Sequence, residues 1–123
     1  MTNLEVVRGI YGAFASGDME KIASLFADDW VGTVPDGMPN SGTFHGAQEF
    51  IENFLSTFPE VWPDFYLEPI SFYDAGDTIF LHHRITAGGK TTEGIHMLVV
   101  REGKAVKWTP FDDTAALIAA SQL

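Results

Sequence analysis

Four side chains of this 123-residue sequence have the chemistry needed to move protons together, namely Tyr11, His83, His96 and Asp112. An imidazole gains and loses a proton near neutral pH, and a neighbouring carboxylate fixes its tautomer. A phenol can donate a hydrogen bond to an oxygen atom that becomes negatively charged during a reaction. These residue types predict acid–base catalysis, provided that the fold brings the four side chains together.

The turn after the strand that carries His83 sets the alignment of that strand with the next. Gly88-Gly89 favours a two-residue hairpin turn, which places Arg84 opposite Glu93 and His83 opposite Gly94. A pair of opposite charges across two strands supports this alignment.

The following turn sets the alignment of the strand that carries His96 with the last strand. The run Arg101-Glu102-Gly103 favours a three-residue turn with its glycine in the left-handed conformation. This turn would place Leu98 opposite Val106 and His96 opposite Trp108.

The two turns together place the acid–base residues on the more apolar face of the sheet. Successive strand residues point to opposite faces, and the apolar face should pack against helices. That face is predicted to carry Ile79, Leu81, His83, Ile85, His96, Leu98, Val100, Val106, Trp108 and Pro110, with Asp112 two residues further on. His83, His96 and Asp112 should then share an apolar concavity.

We expect this concavity to bind a small hydrophobic molecule. Its predicted lining is apolar and consists of Phe14, Trp30, Val34, Phe54, Trp62, Phe65, Leu81, Leu98, Trp108 and Pro110. No cofactor is expected. A metal site is not expected either, because the adjacent His82 and His83 point to opposite faces of their strand.

The opposite face of the sheet is more hydrophobic than a freely solvated surface. It mixes charged residues with Phe80, Ile95, Met97 and Val99. Exposed apolar patches of this kind mark interaction sites, so we expect a homodimer formed through the outer face of the sheet.

The hydrophobic spacing predicts helices early in the chain and strands later. Helices are expected over residues 4–16, 18–26, 46–58 and 114–120, and strands over 30–34, 65–73, 78–86, 91–101 and 105–111. Asp18 should cap the second helix, and Asp28 and Asp29 should end it. This order predicts one α+β domain over residues 1–123, a curved and mostly antiparallel sheet with helices packed on its concave face.

Composition excludes several classes of protein. Apolar residues make up 46% of the chain, which excludes disorder, and the net charge of −10 disfavours binding to nucleic acid. There is no cysteine, and no apolar run is long enough to cross a membrane. We therefore expect a cytoplasmic protein without a membrane partner.

Several segments stand out in the order in which they occur, namely VVRGIYGAFASGDMEKIASLFADDW, SGTFHGAQEFI, FPEVWPDF, GDTIFLHHR and REGKAVKWTPFDD. Together they resemble the nuclear transport factor 2-like superfamily, and its SnoaL-like polyketide cyclase branch in particular. The resemblance implies a cone-shaped, barrel-like α+β fold, a hydrophobic cavity between helices and sheet, and commonly a homodimer. It implies no single reaction, because members include isomerases, dehydratases, hydrolases, cyclases and binding proteins.

The resemblance also suggests roles for individual residues. Tyr11 falls where ketosteroid isomerases have the phenol that binds the substrate oxyanion, and His96 falls near their protonated aspartate. Val34 replaces their general base, and Pro110 stands where limonene epoxide hydrolases have an acid. The acid–base aspartate of SnoaL-like cyclases is matched by Asp112, or by its neighbour Asp113.

These observations lead to three hypotheses. The first is an enzyme that needs no cofactor and acts on a small hydrophobic carbonyl or hydroxy compound, by isomerisation, dehydration or cyclisation. The second is a protein that binds a hydrophobic metabolite without changing it. The third is a structural dimerisation domain. Simpler roles also remain: a histidine can be a hydrogen-bonded core residue, Tyr11 a core ring, and Asp112 the cap of the last helix.

Overall fold

The computed structural model describes residues 1–122. The elements are, in chain order, α1 (Asn3–Ser16), α2 (Met19–Leu25), β1 (Phe26–Val34), β2 (Gly42–His45), α3 (Gly46–Asn53), a 3-10 turn (Leu55–Thr57), α4 (Phe58–Val61), β3 (Tyr66–Asp74), β4 (Thr78–Ala87), β5 (Lys90–Arg101), β6 (Lys104–Phe111) and α5 (Thr114–Ala120).

The six strands form one curved sheet that does not close on itself, in the order β2-β1-β6-β5-β4-β3. The pair β1–β6 is parallel and all other pairs are antiparallel. The predicted α+β class and the mostly antiparallel sheet are confirmed. The strand β2 was not predicted, because Gly42–His45 is too short to show an alternating pattern.

Local signals set the ends of the two N-terminal helices, and the predicted Asp18 cap is one of them. The hydroxyl of Thr2 accepts a hydrogen bond from the amide of Glu5, whose carboxylate accepts one from the amide of Thr2. Gly17 ends α1 with a left-handed φ of 74°. The side chain of Asp18 caps α2 by accepting a hydrogen bond from the amide of Lys21.

Asp28 and Asp29 lie in β1 and do not end α2, so that prediction is wrong. The strand begins directly at Phe26, whose extended conformation ends the helix. Both aspartates are largely solvent-facing within the strand.

The third predicted helix is broken into three pieces, because α3 stops at Asn53 and a 3-10 turn precedes α4. Pro59 explains the break, since it has no N–H and its ring clashes with a helical carbonyl four residues earlier. The restart at Phe58 puts Pro59 in the first turn of α4, where no donor is needed. An apolar stripe of the predicted helix nevertheless continues across the break, since Phe50 contacts Phe54 and Phe54 contacts Phe58.

The alignment of β4 with β5 is the one that Gly88-Gly89 predicts. Arg84 pairs with Glu93, His83 with Gly94 and Leu81 with His96.

The alignment of β5 with β6 differs from the prediction by two residues. The turn contains two residues, Glu102 and Gly103, both with positive φ. An irregularity beside Val100 then shifts the pairing. His96 consequently lies opposite Pro110, not opposite Trp108.

A shift of two residues preserves the face of the sheet to which each side chain points. Trp108 and His96 therefore still share the inner face, and both are buried. The exception is Val106, which is only partly buried, because the irregularity turns Ala105 into the core in its place. Among the described residues, no helix is long and apolar enough to span a membrane.

Candidate active site

A buried hydrogen bond joins helix α1 to strand β5. The hydroxyl of Tyr11 lies 2.6 Å from Nδ1 of His96. The indole Nε1 of Trp108 donates to the same hydroxyl at 3.3 Å. An indole N–H can only donate, so the Tyr11 oxygen is the acceptor in that bond, and its own proton is available for His96.

The second nitrogen of His96 contacts Asp112, at the end of β6. Its Nε2 lies 3.0 Å from Oδ2 of the carboxylate. Because a carboxylate only accepts hydrogen bonds, Nε2 carries the proton and Nδ1 is the acceptor. The hydrogen bonds therefore run in one direction, from Trp108 to Tyr11, from Tyr11 to His96 and from His96 to Asp112.

His83 contacts the other oxygen of the same carboxylate. Its Nε2 lies 2.8 Å from Oδ1 of Asp112, and its ring packs against that of His96 with centroids 4.2 Å apart. The two atoms are in close contact, but the two groups are not aligned as a hydrogen bond. His83 is fully buried, so within the described part of the chain Asp112 is the group that its Nε2 faces.

The electrostatic environment keeps the network in one protonation pattern. Burial lowers the pKa of His96 below its ordinary value of 6.5, although Asp112 opposes this effect. Burial raises the pKa of Asp112, but His96 and His83 outweigh it, so that the pKa lies well below 3.8. Burial and the charge of Asp112 raise the pKa of Tyr11. At neutral pH the site contains a phenol, a neutral His96 and a carboxylate.

The polar groups border an apolar cavity of about 90 Å³. Of the residues predicted to bind substrate, those in the wall are Phe14, Trp30, Val34, Phe54, Trp62, Phe65, Leu98, Trp108 and Pro110. Tyr11, His96 and Asp112 also reach the wall. Whether a ligand binds there stays a prediction.

Leu81 and His83 do not reach the cavity wall. Both are fully buried in β4. Leu81 is therefore buried without forming part of the cavity wall, and a role for it in ligand binding stays a prediction. For His83 the position means that it can act on a ligand only through Asp112 or His96.

Part of the cavity wall was not predicted from the sequence. This part consists of Ile10, Ile22, Phe26, Pro35, Met38, Phe50, Leu55, Phe58, Leu67, Ile85, Thr114 and Leu117. Phe50, Leu55 and Phe58 belong to the apolar stripe that the sequence showed, so that stripe could have predicted them. The loop residues Pro35 and Met38 carried no such signal.

The two neighbouring aspartates have separate roles. Asp113 caps α5 by accepting a hydrogen bond from the amide of Ala116 at 3.0 Å. Asp112, whose side chain is 12% exposed, faces the two imidazoles. The alternative that Asp112 is the helix cap is therefore wrong.

The donor atoms of His83, His96 and Asp112 lie within 4.8 Å of one another. Imidazole and carboxylate groups can be ligands of divalent cations. The expectation of no metal site came from His82 and His83 alone, and did not consider this cluster. The separations of 2.8 and 3.0 Å are also those of ordinary proton-mediated contacts.

The fold and the cavity define a class of protein, the NTF2-like α+β domains. An NTF2-like protein from Burkholderia thailandensis is 27% identical, with 98% of this chain and 97% of that one covered at a TM-score of 0.88. An NTF2-like protein of unknown function from Burkholderia pseudomallei is 30% identical, with 98% of each chain covered at a TM-score of 0.86. Within this class, residues 7–108 match the model of the SnoaL-like domain. The chain belongs to the SnoaL-like domain family.

One similar protein was co-crystallised with a small molecule. TerC, co-crystallised with polyporic acid, is 28% identical, with 96% of each chain covered at a TM-score of 0.84. A search of curated proteins finds no match to the chain.

Proposed function

We propose that the protein is an enzyme that transfers a proton to or from a small, mostly apolar carbonyl or hydroxy compound in the aromatic cavity. The observation that carries the proposal is the directed chain of hydrogen bonds from Tyr11 through His96 to Asp112. The compatible reactions are isomerisation, dehydration and aldol-type cyclisation. All of them need a proton acceptor and a proton donor, which the chain itself supplies.

His96 is the base of the proposed mechanism, and it acts through Tyr11. A substrate proton moves to the Tyr11 oxygen while the phenolic proton moves to Nδ1 of His96. The products are a deprotonated substrate, an intact phenol and an imidazolium. Asp112, held ionised, stabilises the imidazolium, and the reverse transfers return a proton to another atom of the substrate.

The raised pKa of Tyr11 agrees with this relay. A free phenolate would be costly in this environment, and the relay avoids it because the phenol loses one proton as it gains another. His96 must be neutral to accept the proton, which its lowered pKa favours at neutral pH.

The cavity limits the size of the substrate. Ligand sites usually enclose about 300 Å³ or more, whereas this cavity measures about 90 Å³. The substrate is therefore small, or the wall moves when it binds. The aromatic wall suits a flat ring, and the similarity to TerC makes polyporic acid a reasonable first ligand to test.

Exchange of substrate hydrogen for deuterium tests the proposal without knowledge of the product. The protein would be incubated in D₂O with small aryl ketones and hydroxyquinones, and deuterium uptake would be followed by mass spectrometry. Exchange should fall as the pH falls through the pKa of His96, because the protonated imidazole cannot accept a proton. His96→Ala should abolish exchange, and Asp113→Asn should not. Exchange that is independent of pH and of His96 would contradict the proposal.

A binding protein without catalysis is the second candidate, and one observation favours it. Both nitrogens of His96 are already hydrogen-bonded, so the resting site offers no free imidazole lone pair to a ligand. Retention of an unchanged small molecule in native mass spectrometry, together with no deuterium exchange in any compound that binds, would support this candidate. The cavity itself does not agree with the third hypothesis, since a purely structural domain should fill its interior.

A further inference from the structure

A glycine lies beside the two imidazoles on the inner face of the sheet. Gly94 precedes His96 by two residues in β5, so both point to the same face. Across the strand pair it lies opposite His83. His83, Gly94 and His96 are therefore neighbours on the inner face of the sheet, and Gly94 has no side chain of its own to fill the space above it.

The carboxylate of Asp112 occupies the space above Gly94. A Cβ atom at Gly94 would overlap Oδ1 of Asp112, and it would lie 3.0 Å from the carbonyl oxygen of Phe111 and 3.1 Å from Cα of Asp112. Oδ1 is the oxygen that lies 2.8 Å from His83. A side chain at position 94 would therefore displace the atom that contacts the second imidazole.

Backbone conformation does not explain this glycine. Gly94 does not have a positive φ, whereas Gly88 and Gly89, in the turn that follows β4, do. Its neighbours on β5 are ordinary strand residues, and an interior strand glycine weakens a strand and often marks a close approach. The space above the strand is therefore the feature that requires glycine.

We propose that Gly94 is a positioning residue, whose missing side chain allows the Asp112 carboxylate to lie across β5 and contact His83 and His96 together. The catalytic consequence rests on the proposed function, in which Asp112 stabilises the His96 imidazolium. The geometric consequence does not, because it concerns the protein without substrate.

Titration of the His96 imidazole by ¹⁵N NMR tests the proposal in the Gly94→Ala variant. The groups that face Asp112 are His83 from β4, His96 from β5 and Tyr11 from α1. Asp112 raises the pKa of His96, so displacement of the carboxylate should lower that pKa, by roughly one unit for a charge moved out of contact. The Nε2 proton should also lose its hydrogen-bonded chemical shift.

Two further variants separate positioning from general damage. Gly12→Ala adds a methyl group where nothing lies within 4 Å, and should leave the His96 titration unchanged. In an Asp112→Ala background, Gly94→Ala should have no further effect on the pKa of His96, because the displaced group is already missing.

The same double variant covers the case in which Gly94→Ala does not fold. Removal of the carboxylate takes away the overlap between the new Cβ and Oδ1 of Asp112. The double variant should therefore fold, and its Tm should be higher than that of the single variant. If it does not, the β6 backbone is the obstacle and the proposal is wrong. A normal His96 titration in a folded Gly94→Ala protein would overturn it as well. Neither result depends on a substrate, so failure of this proposal is distinguishable from failure of the proposed function.

Discussion

Replacing Asp112 by asparagine should destabilise the protein, although the two side chains have nearly the same shape. The carboxylate accepts from His96 at 3.0 Å and lies 2.8 Å from Nε2 of His83. An amide has one oxygen and one NH₂ group. Turned one way, its NH₂ group faces the Nε2 of His96 that carries a proton, and turned the other way it faces Nε2 of His83.

The magnitude follows from these two contacts. The hydrogen bond from His96 to a charged acceptor becomes one to a neutral acceptor, a loss of about 1 kcal/mol, and the buried His83 loses the negative charge that its Nε2 contacts, a loss of about 1–3 kcal/mol. Asp112→Asn should therefore lower the free energy of unfolding by about 3 kcal/mol. For a domain of this size that corresponds to a fall in Tm of roughly 12 °C.

The effect should depend on pH with a definite sign. The pKa of Asp112 is lower in the folded protein than its usual value. A group of this kind stabilises the fold fully above its unfolded pKa of about 3.9, and this contribution is lost as the pH falls towards the folded pKa. The difference between wild type and Asp112→Asn should therefore be full at pH 7 and smaller at pH 3.

Urea unfolding, followed by tryptophan fluorescence at both pH values, measures this difference. The matched control is Asp113→Asn, because asparagine and aspartate cap helices about equally well, so its stability at pH 7 should stay within about 0.5 kcal/mol of wild type. Equal stability of Asp112→Asn and wild type at pH 7, or a gap that does not narrow in acid, would refute the bridging role of the carboxylate.

Other parts of the molecule give shorter tests. Tyr11→Phe removes the hydroxyl of the relay and should slow deuterium exchange at least 100-fold while the protein stays folded by circular dichroism; an unchanged rate would contradict the relay. The outer sheet face exposes Ile95 and Phe111 side by side, so light scattering should show a homodimer that Met97→Glu converts to monomer, and a monomeric wild type would refute this interface. Thr2→Ala removes the cap of α1 and should cost about 1 kcal/mol in urea unfolding; no loss would mean that the helix end does not need the cap.

The turn residues show which part of the fold could be predicted. Gly88-Gly89 determined the alignment of β4 with β5 correctly, because two adjacent glycines fit few hairpin turns other than a two-residue one. At the next turn Glu102 adopts a φ of 50°, which is rare for glutamate. Nothing in the sequence indicated this conformation, so the predicted turn was one residue too long and the pairing with β6 was wrong.

The candidate site was predictable as a set of residues but not as a set of contacts. Strand alternation placed His83, His96 and Asp112 on one face, and it could do so despite the wrong alignment because the error was an even number of residues. The hydrogen bond from Tyr11 to His96 joins positions 85 residues apart. Its existence depends on how α1 crosses the sheet, which no local pattern determines.

The different roles of Asp112 and Asp113 follow from where β6 ends. Phe111 is the last strand residue, and α5 begins at Thr114. The residue directly before a helix is its cap, which assigns Asp113 to the helix. Asp112 lies one position earlier and two residues after Pro110, so its side chain still points to the inner face of the sheet, as that of Pro110 does.

This placement has a consequence for any reaction in the cavity. Both nitrogens of His96 are engaged, so a proton that leaves a ligand can reach the imidazole only through the Tyr11 oxygen or after a hydrogen bond breaks. Asp112 is the alternative acceptor, but its lowered pKa makes it a weak base. Chemistry that requires a base near neutral pH therefore depends on His96, and the relay through Tyr11 is the route that keeps both of its hydrogen bonds in place, so His96→Ala should have at least as large an effect as Tyr11→Phe.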